Sequence, residues 1–235
     1  MELIDDLRLH GLQWRGAWQP TATDALPALP NQQPVALVAM VGIVGSTFWP
    51  KFRASAFFVD GLPDPLDRWS RSIAIPLAQR YGAQALFPFD GPPFHPFQQW
   101  ADRAEPTQAS PLKLRIHPEY GLWHAYRFAL ALPRSVTGTM EPTTEPMEMT
   151  TISLCASCST QPCLRSCPVD AFDGENYLYA RCVAHLQTPQ GQPCMQGGCL
   201  ARRACPVGQA FQYQSAHAAF HMQAFVRGFE NQLRA

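Results

Sequence analysis

Eight cysteines stand between positions 155 and 205 of this 235-residue chain, and none precedes them. They read Cys155-x2-Cys158-x4-Cys163-x3-Cys167-Pro168, then Cys182, then Cys194-x4-Cys199-x5-Cys205-Pro206. Thiols so close in sequence must converge on one another or on a shared soft metal, which restricts the local chain more than any apolar pattern does. Four disulfides would suit a small secreted domain. This chain is long, its first half is apolar and cysteine-free, and Met1–Leu12 (MELIDDLRLHGL) is acidic without the apolar stretch of a signal peptide. Two structural zinc sites are the better rival, because four thiolates also suit zinc. Either metal reading implies a reducing, cytoplasmic setting.

Both cysteine runs end in Cys-Pro. That ending favours iron–sulfur clusters, since cluster iron is soft and prefers sulfur. In the bacterial two-cluster pattern the Cys-Pro cysteine of one run ligates the cluster of the other. The same exchange here assigns Cys155, Cys158, Cys163 and Cys205 to one 4Fe-4S cluster. It assigns Cys182, Cys194, Cys199 and Cys167 to a second, and no cysteine is left over. The spacing is looser than the standard C-x2-C-x2-C-x3-C-P.

Lys plus Arg and Asp plus Glu both number 18, so the net charge is zero. A polyanion-binding surface needs clustered cations, so nucleic acid is not an expected partner. Hydrophobic residues make up 46% of the chain, enough for a sizeable core, but no apolar run is long enough to span a bilayer. The 23 prolines predict short helices and stiff connections.

Pro34–Gly45 (PVALVAMVGIVG) reads as a buried central strand, and Ser46–Phe52 as a short helix or turn. Asp64 is placed to N-cap a helix running to Arg80, with Pro65 at its first position and Leu66, Trp69, Ile73, Leu77 and Tyr81 as its apolar stripe. Ala83–Phe87 predicts a short strand, Pro88–Pro96 a stiff loop, and Phe97–Ala104 a helix. Leu112–His117 and Leu122–Leu132 predict two strands around a turn at Pro118–Gly121. The expected domains are an α/β layered core over 1–136, a linker over 137–151 and a cysteine domain over 152–213. A C-terminal helix over 214–235, carrying Phe220, Phe225 and Phe229, should pack back on the core.

The cysteine region resembles the dicluster ferredoxin module of epoxyqueuosine reductases and reductive dehalogenases. Upstream, Trp100-Ala101-Asp102-Arg103-Ala104 and then Glu119-Tyr120-Gly121-x-Trp123 resemble the reductases' W-A-x-R-A-G … E-[FY]-G-S-W stretch. Asp90-Gly91-Pro92-Pro93 stands where they carry D-[ST]-[AG]-P. Cobalamin-processing proteins of the CblC type give a second resemblance. Their I-H-P-x-[FY]-G-x-W-x-A-x-R is met by Ile116, His117, Pro118, Tyr120, Gly121, Trp123, Ala125 and Arg127, and their D-P-x-D by Asp64, Pro65 and Asp67. These resemblances imply a nitroreductase-like α/β core binding cobalamin or a related corrinoid, a C-terminal dicluster ferredoxin-like domain as electron source, and an external donor of ferredoxin or flavodoxin type. The reductases' G-W-I-G-K-N loop is replaced by Glu105–Pro111, their tRNA-gripping extension is missing, and CblC-type proteins lack clusters.

The matched Asp90 is implied to give a proton to a reduced substrate, provided an apolar pocket keeps it protonated. Otherwise it is a loop carboxylate closing an Asx-turn. His117 is placed to ligate cobalt or touch the corrin edge, or else to hold a strand end. Tyr120 and Trp123 either wall a macrocycle or pack in a core. Arg127 matches an Arg associated with the corrinoid site, or it snorkels to the surface. His217 and His221, at i and i+4, have metal-ligand spacing but no evident third ligand. The leading expectation is an iron–sulfur corrinoid reductase that removes the upper axial ligand of cobalamin. The alternatives are a cobalamin-dependent reductase of a modified nucleoside or an organohalide, and a non-enzymatic electron carrier or corrinoid chaperone.

Overall fold

The computed structural model describes residues 2–137 and 153–234, the side chains of 137 and 230–234 excepted. Most of the expected linker therefore lies outside the described residues. In chain order the elements are α1 (Glu2–Leu9), β1 (Gln13–Trp18), β2 (Leu37–Val44), α2 (Trp49–Arg53), α3 (Ala56–Val59), α4 (Pro65–Arg80), β3 (Gln84–Leu86), α5 (Phe97–Ala104), β4 (Gln108–Ala109), β5 (Arg115–Ile116), β6 (His124–Leu132), α6 (Arg134–Thr137), α7 (Pro162–Arg165), α8 (Tyr179–Leu186), α9 (Gln192–Gly197), α10 (Leu200–Arg203) and α11 (Ser215–Arg234). They form two compact units. The first comprises Met1–Pro106 and His124–Thr150, the second Thr107–Trp123 and Thr151–Ala235.

The first unit is built on an antiparallel sheet of order β1-β2-β6-β3. Every residue of β2 is buried, as its continuous apolar run predicts. Val38 and Met40 join Ala129 and Ala131 of β6, Trp18 of β1, and Phe97 and Trp100 of α5 in one apolar cluster. Side chains alternate across a strand, so Ala39 and Val41 turn to the other face. α4 packs on β6 and β3 through the predicted stripe of Leu66, Trp69, Ile73 and Leu77, all buried. Asp64 stands at the expected N-cap position and its carbonyl accepts the Arg68 N–H at 3.0 Å, but at φ 50° its side chain makes no capping hydrogen bond; Pro65 follows at the first position.

Two β-bulges interrupt this sheet. In β1 the register slips between Trp14 and Ala17. Gly16 has φ 75°, and a Cβ there would meet the Ala104 carbonyl oxygen at 2.1 Å, so only glycine fits. Between β2 and β6, Val41 pairs with Phe128 but Gly42 with Tyr126, leaving Arg127 as the extra residue. A Cβ on Gly42 would meet the Ala125 carbonyl oxygen at 2.3 Å. Each bulge thus re-aims one arginine.

The predicted turn at Pro118–Gly121 forms, closed by an antiparallel bridge between His117 and Gly121, and the second strand is β6, but the two predicted strands do not pair with each other. Arg115 and Ile116 pair instead with Gln108 and Ala109 in a separate two-stranded ribbon. The reason is apolar. Leu112, Ile116 and Leu122 pack with Ala171, Phe172, Ala201 and six of the cysteines, so residues 107–123 belong to the cysteine unit. The expected boundary at 136 differs accordingly. α11 packs on α8 and α9 within the same unit, with Phe225 against Tyr177 and Phe229 against Tyr179.

Candidate functional site

The second unit gathers the thiols into two groups. Cys155, Cys158, Cys163 and Cys205 line a cavity of about 270 Å³, together with Ile116, Leu154 and Val207. That is far more than the roughly 10–15 Å³ that admits one water. Cys167, Cys182, Cys194 and Cys199 line a tighter space of about 20 Å³, with Phe172, Leu200 and Met222. Short turns set these positions. Cys155 and Cys158 share one turn, Cys163 lies in α7, Cys182 in α8 and Cys194 in α9, and Cys199 precedes α10. Among the described residues, no three His, Cys, Asp or Glu side chains converge tightly enough to hold a single metal ion.

The electrostatics follow the same grouping. Burial pushes the Cys155 thiol up, and Cys205, Cys163 and Cys158 add to this as neighbouring negative charges. Burial raises Cys182, with Cys167 and Cys194 adding to the rise and a hydrogen bond from Tyr177 opposing it. Cys199 is pushed up to about 11, chiefly by burial. Thiols in such surroundings favour their protonated, neutral form. Backbone N–H groups point at several sulfurs, including Ala171 to Cys167 Sγ at 3.3 Å, Leu164 to Cys163 and Val207 to Cys205. Each group thus brings four soft sulfur donors to the lining of one space.

The motif Ile116–Trp123 serves as scaffold for this unit. His117 Nδ1 accepts the backbone N–H groups of Glu119 at 3.1 Å and Tyr120 at 3.2 Å, and its ring stacks on Tyr120 at 4.3 Å. Its Nδ1 is thus committed to the turn. Gly121, at φ 57°, lies so close to Val207 that a Cβ would meet the carbonyl oxygen at 2.0 Å. The turn is a shelf for the loop that follows Cys205-Pro206. Trp123 is buried against Tyr213, with the Arg202 guanidinium 4.7 Å above its ring. Arg202 also donates to the Leu122 carbonyl at 3.0 Å.

Asp90 and Arg127 lie in the first unit, and both are tied to α4. Arg127 pairs with Asp67 and donates to Ser70 Oγ at 3.1 Å. Two segments of the CblC-type pattern, Asp64-Pro65-x-Asp67 and Ala125-x-Arg127, thus meet in one ion pair. Asp90 pairs with Arg71, whose guanidinium lies 4.3 Å from the Phe87 ring centroid. At 44% side-chain exposure and beside a guanidinium, Asp90 is not in the apolar pocket that the proton-donor role requires.

One feature escaped sequence reasoning. Arg15, 2% exposed, pairs with Glu105 at 2.7 Å, donates to the Ile43 carbonyl at 3.1 Å and lies over the Tyr126 ring. Burial pushes the Glu105 carboxyl up while Arg15 opposes it. Gly16 after Arg15 in an aromatic run was the one available signal of a bulge. His217 and His221, singled out for their i, i+4 spacing, do meet, with Nε2 atoms 2.9 Å apart. His217 is fully buried, stacked on Tyr213 at 3.9 Å, and its pKa is lowered to about 2 by burial, then by His221 and Arg202. In the first unit, a cavity of about 560 Å³ lies between α1, β1 and the Thr47 turn, and none of the residues singled out in the sequence lines it.

No family model and no curated protein matches the chain. Its mixed α/β architecture has the fold seen in CblC-type proteins. The crystal structure of a C. elegans B12-trafficking protein CblC, a human MMACHC homologue, matches with a TM-score of 0.51 and 13% identity, over 94% of this chain and 89% of that one. At that identity the likeness is one of fold. No helix among the described residues is long and apolar enough to cross a membrane.

Proposed function

We propose that this chain is an iron–sulfur corrinoid reductase that processes cobalamin or a related corrinoid. The observation that carries the metal half is the crossed grouping of the thiols: Cys205 lines the cavity of the first run and Cys167 the space of the second. Cys155, Cys158, Cys163 and Cys205 would hold one 4Fe-4S cluster, and Cys167, Cys182, Cys194 and Cys199 the other. Such clusters, when bound, supply single electrons over a wide range of potential. The corrinoid half is supported by the fold shared with a B12-trafficking CblC and by the Asp67–Arg127 pair, which joins two segments of the CblC-type pattern. The corrinoid is the substrate. One electron, drawn from an external ferredoxin- or flavodoxin-type donor, takes its cobalt from the 3+ to the 2+ state, and the weakened axial bond releases cyanide or water. In this reading Arg127 holds α4 to the sheet and supplies the cation near the corrinoid, while Tyr120 and Trp123 hold the cysteine unit together.

Anaerobically purified protein should contain about eight iron and eight labile sulfide per chain; two zinc and no sulfide would end the cluster reading. Optical titration with hydroxocobalamin and cyanocobalamin, before and after chemical reduction, tests the rest. A reductase binds and turns the corrinoid over, a chaperone binds without turnover, and an electron carrier leaves the cobalt spectrum unchanged. Arg127→Ala should weaken binding roughly tenfold, about 1.4 kcal/mol, with iron content retained. Asp67→Ala breaks the same ion pair yet keeps the guanidinium. An equal loss in both variants would assign the effect to α4 rather than to the cation.

A further inference from the structure

α11 carries His217 and His221 one turn apart, and the two rings meet. Their Nε2 atoms are 2.9 Å apart and their ring centroids 4.8 Å. Aromatic neighbours hold both rings in place. Tyr213 stacks on His217 with centroids 3.9 Å apart and planes 25° from parallel, and it reaches His221 at 5.8 Å. Phe220 meets His221 edge-on at 5.6 Å. Tyr213 is itself packed against Trp123 at 5.4 Å. His217 is fully buried, whereas His221 is half-buried, so water reaches the pair from the His221 side.

We propose that His217 and His221 chelate one divalent ion of the nickel or copper class, at a site separate from the two thiol groups and independent of what those hold. Imidazole nitrogens suit zinc, copper and nickel, and two histidines at i and i+4 present them on one helix face. The separation of the nitrogens chooses among these ions. Two nitrogens each about 2.0–2.1 Å from an ion stand about 2.9 Å apart when they subtend a right angle, and about 3.4 Å apart at the tetrahedral angle. The 2.9 Å between the two Nε2 atoms is the right-angle value. Right-angled nitrogen ligation belongs to tetragonal copper(II) and nickel(II) rather than to four-coordinate zinc. Without an ion the same distance is a hydrogen bond, one Nε2–H donating to the other Nε2. The ion takes the place of that proton. The donor ring gives its Nε2 proton to water and takes one up on Nδ1, so both rings stay neutral and both Nε2 lone pairs face the metal. Among the described residues no third His, Cys, Asp or Glu joins them, so water fills the remaining positions from the His221 side. The Arg202 guanidinium, 4.5 Å from the Tyr213 ring centroid, repels a dication and weakens the site.

The test is a titration of the full chain, as purified and under anaerobic conditions, with Ni2+ alone. Two readouts are taken together: the histidine ring resonances by NMR, assigned through bonds from the backbone, and the affinity by calorimetry. Ni2+ at micromolar concentration should broaden the rings of His217 and His221 and leave those of His10 and His95 sharp. His221→Gln, at the half-buried position, should weaken this binding roughly a hundredfold while circular dichroism stays that of the wild type. Zn2+ should bind the wild-type pair roughly tenfold more weakly than Ni2+, as the right-angle separation requires. Rings of His217 and His221 that stay sharp through the titration overturn the site, and this reading needs no variant to fold. Binding to His221→Gln as tight as to the wild type overturns it as well. Zinc held as tightly as nickel overturns the assignment of the ion.

Discussion

The two units are held together by different physics. In the first, the strand β2 is buried along its whole length, and α4 and α5 bring Trp69, Ile73, Phe97 and Trp100 to the sheet. Its stability comes from apolar area removed from water, about 25 cal/mol per Å². In the second, the apolar cluster is a shell around thiols. Ile116, Leu122, Ala171 and Phe172 pack with Cys155, Cys163, Cys167, Cys182, Cys199 and Cys205. Burial alone leaves those thiols raised and mutually repulsive once ionised. An apolar core stabilises whatever occupies it by exclusion of water. Left protonated, such thiols are neutral and pack as small apolar groups; on the cluster reading proposed above, folding of the second unit should instead be coupled to metal binding.

The largest expected effect breaks the comparison outright. On the cluster reading, a chelator under anaerobic conditions should abolish hydrogen-exchange protection in α8, α9 and α11 while β2 and β6 keep theirs. Equal loss in both units would show that the two cores are not independent in their dependence on metal. The single substitutions Cys205→Ala and Cys167→Ala should each halve the iron content, from about eight to about four per chain. Cys205→Ala should spare the group of Cys182, Cys194 and Cys199, and Cys167→Ala should spare that of Cys155, Cys158 and Cys163. The opposite pattern would show that each run closes on its own cluster.

Next come the charges and rings of the first unit. Arg15→Met leaves Glu105 buried without its partner and should cost about 3–5 kcal/mol in chemical denaturation. Restoring stability with the added change Glu105→Leu would show that the loss came from the stranded carboxylate. Phe128→Ala, at a fully buried position of β6, should also cost about 3–5 kcal/mol. Iron content should hold in both variants, which is the sharpest contrast with the cysteine substitutions.

The smallest effect is a pH dependence of the second unit. His217 is buried with its pKa lowered from 6.5 to about 2. The unfolded chain therefore binds a proton below pH 6.5 that the folded chain does not take up. Stability from this group is complete above the unfolded pKa and is lost as the pH falls. Between pH 6.5 and 5 the loss is about 2 kcal/mol. Denaturation midpoints measured at pH 7 and 5 should show this slope in the wild type and a flatter one in His217→Gln.

How much of this was legible varies with the range of the interactions. β2, α4 and α5 could be read because their patterns are local: a continuous apolar run, a 3.6-residue stripe behind a proline, and an aromatic-rich segment between a proline loop and a break. Asp64 was read correctly as the N-cap position, but its side-chain capping bond is lost because that bond needs an extended backbone, and here φ is 50°. The strand assigned to Leu112–His117 was misread because its alternation is real but serves the cysteine unit, not the sheet. β1 and its bulge and the Arg15–Glu105 pair had no strong local signature, whereas the His217–His221 contact follows from i, i+4 spacing on one helix. Of the candidate residues, His117 and Trp123 hold turns and packing in the second unit, and Asp90 and Arg127 anchor to α4 in the first.

The sequence by itself determined the chemistry available: eight thiols at metal-binding spacing, two Cys-Pro endings, a neutral surface and one wholly apolar strand. Those follow from residue type and separation along the chain, which need no knowledge of the fold. Only the tertiary structure decided the partners. It set Cys205 in a cavity with cysteines some forty to fifty positions upstream, moved residues 107–123 into the cysteine unit, and turned Arg15 and Arg127 inward at two bulges. Such contacts depend on long loop closures and on single-residue slips in register. A slip of one residue reverses the direction of a side chain without leaving a trace in composition or periodicity.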